Sequence, residues 1–171
     1  MILRCTKKLL AVIGPSLLTE PAPAPDAEDW YANLLWSGRR KCLLMAHAAT
    51  LFTIFEPDVS AAGLRATDML VTRLIGQELL SESLPPDTFA DLEPRKVILA
   101  RTADRSVLGC MNDMAFHCEV IIADSGGLAH TDIAELNQSL RRNINSTRGY
   151  HPPIELTTER IDTRRGKQAR A

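Results

Sequence analysis

The stretch from Asp104 to His117, DRSVLGCMNDMAFH, contains a serine, a cysteine, two aspartates and a histidine, which are residue types that occur in active sites. On an α-helix, where each residue turns about 100°, four of them share one narrow stripe: Ser106, Cys110, Asp113 and His117. Asp113 and His117 lie one turn apart, so the carboxylate could orient the imidazole and favour its protonated form. The pair is a candidate for acid-base catalysis, with Ser106 or Cys110 as a formal nucleophile.

The same stretch is mostly apolar and predicts a buried helix over residues 104–123. A wide apolar stripe lies beside the polar one: Val107, Met111, Met114, Cys118, Ile121 and Ile122. A helix that is apolar over most of its circumference is largely buried, and its few polar groups usually satisfy one another. Cys110 and His117 are also about 10 Å apart along the axis, too far for direct contact. We therefore expect the polar seam, Ser106 to His117, to be closed by a sheet.

The start of this helix carries a candidate anion site. Arg105 and Ser106 lie where a helix exposes backbone N–H groups, which bind anions. In the alternative interpretation, Asp104 or Ser106 caps the helix and Arg105 is solvated. Residue types alone leave both interpretations open.

A second basic group lies in a predicted hairpin. Residues 30–55 read as an antiparallel meander of two or three strands, with its first turn at Ser37-Gly38. That turn is followed by Arg39, Arg40 and Lys41, with Trp36 close by. A basic turn beside an aromatic ring could contact phosphate and stack a base, or it could be a solvated turn.

The predicted fold is α+β, with a small, mostly antiparallel sheet covered by three to four helices. The sheet takes the N-terminal strand MILRCT, the 30–55 meander and a strand at 96–101. The helices are expected near residues 63–83, 104–123 and 131–145, the last with Thr131 as its N-cap. The strand after the first turn is apolar on both faces, so we expect it in the middle of the sheet.

The length of 171 residues and a hydrophobic content of 45% fit one domain, over residues 1–156. Residues 21–29 alternate Pro and Ala and predict an extended surface loop. Residues 157–171 carry five basic and two acidic side chains, so they are predicted to form a basic, disordered tail. The rest of the chain is mildly acidic.

Four scattered cysteines, Cys5, Cys42, Cys110 and Cys118, lack a C-x-x-C pair and are expected to be buried, reduced thiols. Lys7 and Lys8 before LLAVIGPSLL resemble the start of a signal peptide, but Gly14-Pro15 breaks the apolar run. No other apolar run approaches the roughly 18 residues of a membrane span. We expect a cytoplasmic protein that does not bind membranes.

A metal site is not predicted, because Asp113 and His117 supply two ligands where a tightly held ion needs three or four. The sequence has no recognised ligand spacing and no nucleotide-binding loop. We therefore predict neither a metal nor a cofactor.

Four strings in the chain resemble, in their order and spacing, a family of small, mostly bacterial proteins known only as a domain of unknown function. They are MILRCTKKLL, DWYANLLW, RRKCLLMAHAATLF and DRSVLGCMNDMAFH. The resemblance spans residues 1–153 except the Pro/Ala loop. It implies a cytoplasmic domain that starts at Met1, and it implies no activity.

The sequence favours a non-catalytic interaction module that binds a protein or nucleic-acid partner, because catalytic motifs are missing and the tail and hairpin turn are basic. The alternative is a small hydrolase or phosphodiester-cleaving enzyme that uses Asp113 and His117, with Arg105 holding an anion. A further alternative is an antitoxin- or immunity-type protein, which a large exposed apolar patch or dimerisation would indicate.

Overall fold

The computed structural model describes residues 1–89 and 97–168, without the side chains of Ser16 and residues 164–168, and these residues form five strands and six α-helices. The strands are β1 (Ile2–Cys5), β2 (Trp30–Ser37), β3 (Arg40–His47), β4 (Thr53–Glu56) and β5 (Ile98–Arg101). The helices are α1 (Lys7–Ile13), α2 (Ala61–Arg65), α3 (Thr67–Ser81), α4 (Arg105–Asp124), α5 (Ile133–Arg142) and α6 (Pro153–Gln168). Short 3₁₀ turns occur at Pro15–Leu17, Leu128–His130 and Ser146–Arg148.

The strands form one mixed sheet in the order β4-β3-β2-β1-β5. The α+β class is confirmed, and β2, β3 and β4 form the predicted antiparallel meander. The prediction of a mostly antiparallel sheet is wrong, because β1 pairs in parallel with both β2 and β5. The chain passes from β1 to β2 through α1, and such a crossover returns the second strand in the same direction. Lys96, the first residue of the predicted fourth strand, lies outside the described residues.

Helices cover both faces of the sheet. The described residues form six α-helices, more than the three or four that we predicted. On β3, Leu43 and Met45 join the core formed with α1 and α3, whereas Cys42, Leu44 and Ala46 join the core formed with α4 and α5. β3 lies between β2 and β4 and is buried from Cys42 to its end. The prediction of an internal strand that is covered on both sides is therefore confirmed.

Two helices differ from their predicted bounds. The expected helix over residues 63–83 is divided into α2 and α3 at Ala66. α5 is shorter than predicted, and its N-cap is Asp132 rather than Thr131, because the Asp132 side chain accepts a hydrogen bond from the N–H of Glu135. α4 matches its prediction, and Asp104 is its cap, accepting hydrogen bonds from the backbone N–H groups of the second and third residues of the helix.

The Pro/Ala loop is attached to the sheet by a buried ion pair. The Arg4 guanidinium contacts the Asp29 carboxylate at 2.5 Å and donates to the backbone oxygens of Pro23 and Ala24. Burial of an arginine is tolerated only when its charge and its N–H donors are satisfied in this way. The loop thus covers the part of the sheet around β1.

The predicted disordered tail is helical over residues 157–168, because α6 begins at Pro153 and continues through them. Thr157 and Ile161, four residues apart on one side of α6, are buried. Residues that are four positions apart face the same side of a helix. Packing of that side explains why the basic composition did not prevent a helix here.

α5 is fixed against the outer edge of β4 by buried polar side chains. Asn137 accepts a hydrogen bond from the N–H of Phe55 at 2.7 Å and donates one to its C=O at 3.1 Å. Arg141, which is fully buried, pairs with Glu78 at 2.7 Å and with Glu82 at 2.8 Å. An uncovered edge strand leaves its backbone groups unpaired, so α5 takes the place of a further strand and forms a rigid wall beside α4.

Candidate functional site

The polar seam of α4 is open to solvent, so the prediction that the sheet closes it is wrong. Asp113 and Ser106 are exposed and His117 is half-buried, whereas Cys110 is only 2% exposed. The apolar stripe of α4 takes the side that faces the sheet. The seam lies at the border with α5, and because α5 ends at Arg142 the space beyond it stays open.

This space is a cleft of about 320 Å³ between α4 and the chain that follows α5. α4 contributes Cys110, Asp113, Met114 and His117, and the other wall is formed by Leu140, Asn143, Ile144, Asn145 and Ser146. Both walls contain polar and apolar side chains. A concave site with a few convergent polar groups and apolar walls is the usual form of a binding site for a small group.

His117 is oriented by the opposite wall of the cleft rather than by Asp113. Its Nε2 lies 3.1 Å from Nδ2 of Asn143 and 3.2 Å from Oγ of Ser139. When Nε2 accepts from the Asn143 amide, the imidazole is neutral and carries its proton on Nδ1. No contact joins Asp113 to His117 in the described part of the chain, so the structure does not support the expectation that Asp113 orients His117.

The side chain of Asp113 has no hydrogen bond or ion pair within residues 1–89 and 97–168. Its carboxylate is exposed at the cleft, with both oxygens free to accept. The cleft is therefore a place where a ligand with donor groups would complete the interactions of Asp113.

Cys110 is held at the floor of the cleft by the chain after α5. Its Sγ lies 3.0 Å from Oγ1 of Thr147 and donates to Oδ1 of Asn145 at 3.6 Å. The same Asn145 oxygen accepts hydrogen bonds from the backbone N–H and the hydroxyl of Thr147. The buried thiol thus helps to fix this wall, and its burial leaves little room for a role as a nucleophile.

All four cysteines are free and buried, as predicted. Burial raises the pKa of the thiols of Cys5 and Cys118 to about 12 and also raises that of Cys42. A thiol with a raised pKa holds its proton at neutral pH and reacts slowly.

A second cleft, of about 330 Å³, continues along the same pair of helices. It is lined by Ile121, Asp124, Ser125, Thr131, Asp132, Glu135, Leu136 and Ser139. The contact between Ser139 and His117 lies between the two clefts. We call the two clefts together the acidic furrow, because its lining contains the carboxylates of Asp113, Asp124, Asp132 and Glu135.

No lysine or arginine is found among the side chains that line the furrow in the described residues. The sequence explains this charge, since residues 106–140 contain five acidic residues and neither Lys nor Arg. A concave surface of one sign attracts ligands of the opposite sign and raises their rate of association. The furrow is therefore suited to a cation.

None of the predicted basic residues lines the furrow, and the group at the hairpin turn lies apart from Arg105. Arg40 pairs with Asp58 at 2.7 Å, the Lys41 ammonium lies 4.9 Å from the centre of the Trp36 ring, and Arg39 is exposed. These residues follow the far end of β2. The eight residues of β2 place its two ends about 23 Å apart.

Arg105 and Ser106 are exposed at the other end of the sheet, where the N–H of Asp104 donates to the hydroxyl of Tyr31 at the start of β2. Asp104 already accepts hydrogen bonds from the N–H groups of Ser106 and Val107. The capping interpretation therefore accounts for this helix start, and the structure does not bring Arg105 close to the hairpin turn.

The sequence did not identify the residues that complete the cleft, namely Ser139, Asn143, Asn145 and Thr147. The signal that could have found them is the polar run NINST after α5, which holds two amides and two hydroxyls within five residues. Such residues favour turns and hydrogen bonds to the backbone. Their approach to α4 depends on tertiary packing.

Within the described ranges, no group of three or more His, Cys, Asp or Glu side chains is placed to hold a metal ion. The described helices also include none that is long and apolar enough to cross a membrane.

The fold and site define a three-layered α+β domain with an open furrow between two helices that pack on one face of its mixed sheet. The family model described as "Domain of unknown function (DUF6933)" matches residues 2–156. The chain belongs to this family, as the four strings of its sequence indicate. No curated protein and no solved structure matches the chain.

Proposed function

We propose that this protein is a non-catalytic interaction domain whose acidic furrow binds a basic segment of a protein partner. The observation that carries the proposal is the open furrow between α4 and α5, which is lined by four carboxylates and by apolar side chains. Charge complementarity selects the partner and speeds the encounter, and the apolar surface contributes affinity.

A protein partner is better supported than a nucleic acid. Phosphate groups need a surface on which lysines and arginines converge, whereas Arg40 and Lys41 are engaged locally and lie far from Arg105. The carboxylates of the furrow would repel a polyanion. A protein partner is also what an antitoxin- or immunity-type role would require.

Catalysis by Asp113 and His117 is less well supported than binding. A general base needs to lie within hydrogen-bond reach of the group that it serves and to be oriented by a third group. Here Nε2 of His117 is engaged by Asn143 and Ser139, and the Cys110 thiol at the cleft floor is buried. The Ser139 hydroxyl lies within reach of Nε2, but in the described residues no partner contacts Nδ1 of His117, so the pair lacks the third group that would orient the base.

The test is fluorescence anisotropy with a labelled octapeptide of alternating lysine and alanine, compared with its glutamate-alanine counterpart and with single-stranded DNA. We expect the basic peptide alone to bind, with affinity that falls as salt is raised, because exposed charges are screened.

Two charge-reversal variants locate the binding surface. Asp113→Lys with Asp124→Lys changes two exposed carboxylates of the furrow, and Glu20→Lys with Asp68→Lys makes the same change of charge elsewhere on the surface. We expect the furrow variant to bind about 30-fold more weakly, at roughly 1 kcal/mol for each reversed carboxylate. Equal binding by the two variants, or preference for DNA, would overturn the proposal.

A further inference from the structure

We infer that the cleft beside Asp113 takes one lysine side chain of the partner, with its ammonium group at Asp113 and its alkyl chain along the apolar wall. This inference rests on the proposed function and deepens it, because it assigns the residue type that one end of the furrow recognises. Some polar atoms of the cleft already have hydrogen-bond partners and others do not. The type and position of the atoms without partners indicate which ligand group fits the cleft.

The open polar atoms of the cleft are mainly acceptors. Asp113 offers a carboxylate without a partner in the described chain. The Asn143 amide nitrogen is engaged with His117, which leaves the Asn143 carbonyl oxygen available, and Ser146 adds an exposed hydroxyl. The carbonyl of Asn145, in contrast, already accepts hydrogen bonds from Thr147 and Cys110.

These acceptors stand on two walls, with Asp113 on α4 and with Asn143 and Ser146 on the chain after α5. An ammonium group is compact and has three donors that rotate freely, so it can reach both walls. A guanidinium group holds its donors in one plane and is best matched by a coplanar pair of acceptors. The cleft therefore favours lysine over arginine.

The apolar part of the cleft fits the stem of that side chain. Met114 and Leu140 are buried and form its inner apolar surface, whereas Ile144 at the rim is 66% exposed. Lysine covers apolar surface with its four-carbon stem while it keeps its charge at a polar site. Binding of lysine would thus cover Ile144, which the domain leaves in water.

The test is a titration of the ¹⁵N-labelled protein, followed by NMR, with four blocked amino acids of similar size: the Nα-acetyl N-methylamides of lysine, norleucine, arginine and glutamate. We expect the lysine probe to shift the signals of Asp113, His117 and residues 143–146. We expect it to bind about fivefold more tightly than the norleucine or arginine probes. Norleucine keeps the stem and lacks the ammonium, so the comparison isolates the charge.

Two variants separate this cleft from the rest of the furrow. Asp113→Asn should remove the advantage of lysine, whereas Asp124→Asn, which changes a carboxylate of the second cleft, should retain it. n-Butylamine distinguishes a free amine from a lysine within a chain, and binding of butylamine as tight as that of the lysine probe would contradict a peptide source.

Equal binding of lysine and norleucine probes, or a stronger arginine probe, would overturn the inference. The octapeptide experiment decides the proposed function separately. If the basic octapeptide binds the furrow while the lysine probe shows no preference for the cleft, the furrow remains the binding surface and the assignment of lysine fails.

Discussion

Replacing Asn137 with alanine should destabilise the protein by about 2–5 kcal/mol, because Asn137 links α5 to two backbone groups at the edge of the sheet. Its side chain is 1% exposed and bonds to both the N–H and the C=O of Phe55. Alanine would leave these two buried backbone groups without partners, at a cost of about 1–3 kcal/mol each. The better helix propensity of alanine offsets roughly 0.6 kcal/mol.

The assay is equilibrium unfolding in urea, followed by tryptophan fluorescence, since Trp30 is buried in the core. Gln138→Ala is the matched control, because Gln138 is the next residue of α5 and is exposed. We expect that control to change the free energy of unfolding by less than about 0.5 kcal/mol. If Asn137→Ala also changes the free energy of unfolding by less than about 0.5 kcal/mol, α5 is not fixed to β4 through Asn137, and the wall of the furrow is not rigid.

Two further predictions concern titratable groups. Hydrogen bonding from Arg142, with a further contribution from Arg141, lowers the pKa of Glu82 in the folded state. The ionised Glu82 therefore stabilises the folded protein above the unfolded pKa of about 4.5, and this stabilisation is lost as pH falls through the folded pKa. Glu82→Gln should therefore reduce the loss of stability that urea unfolding measures as pH falls below about 4.5, and an unchanged pH profile would contradict this assignment. The four buried thiols should react with Ellman's reagent at pH 8 only after unfolding in urea. Rapid reaction of any of them in the native protein would show that its burial is wrong.

The elements that sequence predicted well are those whose local pattern agrees with their packing. α4 has an N-cap at Asp104 and an apolar stripe, and the meander has a turn after Ser37. Each of these signals acts over a few residues. The parallel pairing of β1 with β5 joins residues almost a hundred positions apart, so no local pattern reports it.

The candidate site was predicted only in part, for a related reason. The stripe that contains Asp113 and His117 follows from helical geometry, but its opening depends on where α5 ends. Arg141 is buried by its ion pairs with Glu78 and Glu82, which lie about sixty positions earlier, so no local pattern reports its burial. Once those pairs form, Arg141 contributes no positive charge to the surface, and the local charge of the furrow is acidic.

The most direct test of the acidic furrow is to map where the lysine-alanine octapeptide binds, by titration of the ¹⁵N-labelled protein in low salt and again in 0.5 M NaCl, conditions that differ about threefold or more in screening length. We expect shifts that are confined to the lining of the furrow, on α4 from Cys110 to Asp124, at Ser125, from Thr131 along α5 and at residues 143–146, and that disappear in high salt. Shifts centred on the hairpin turn at residues 39–41, or no shifts in low salt, would contradict this expectation.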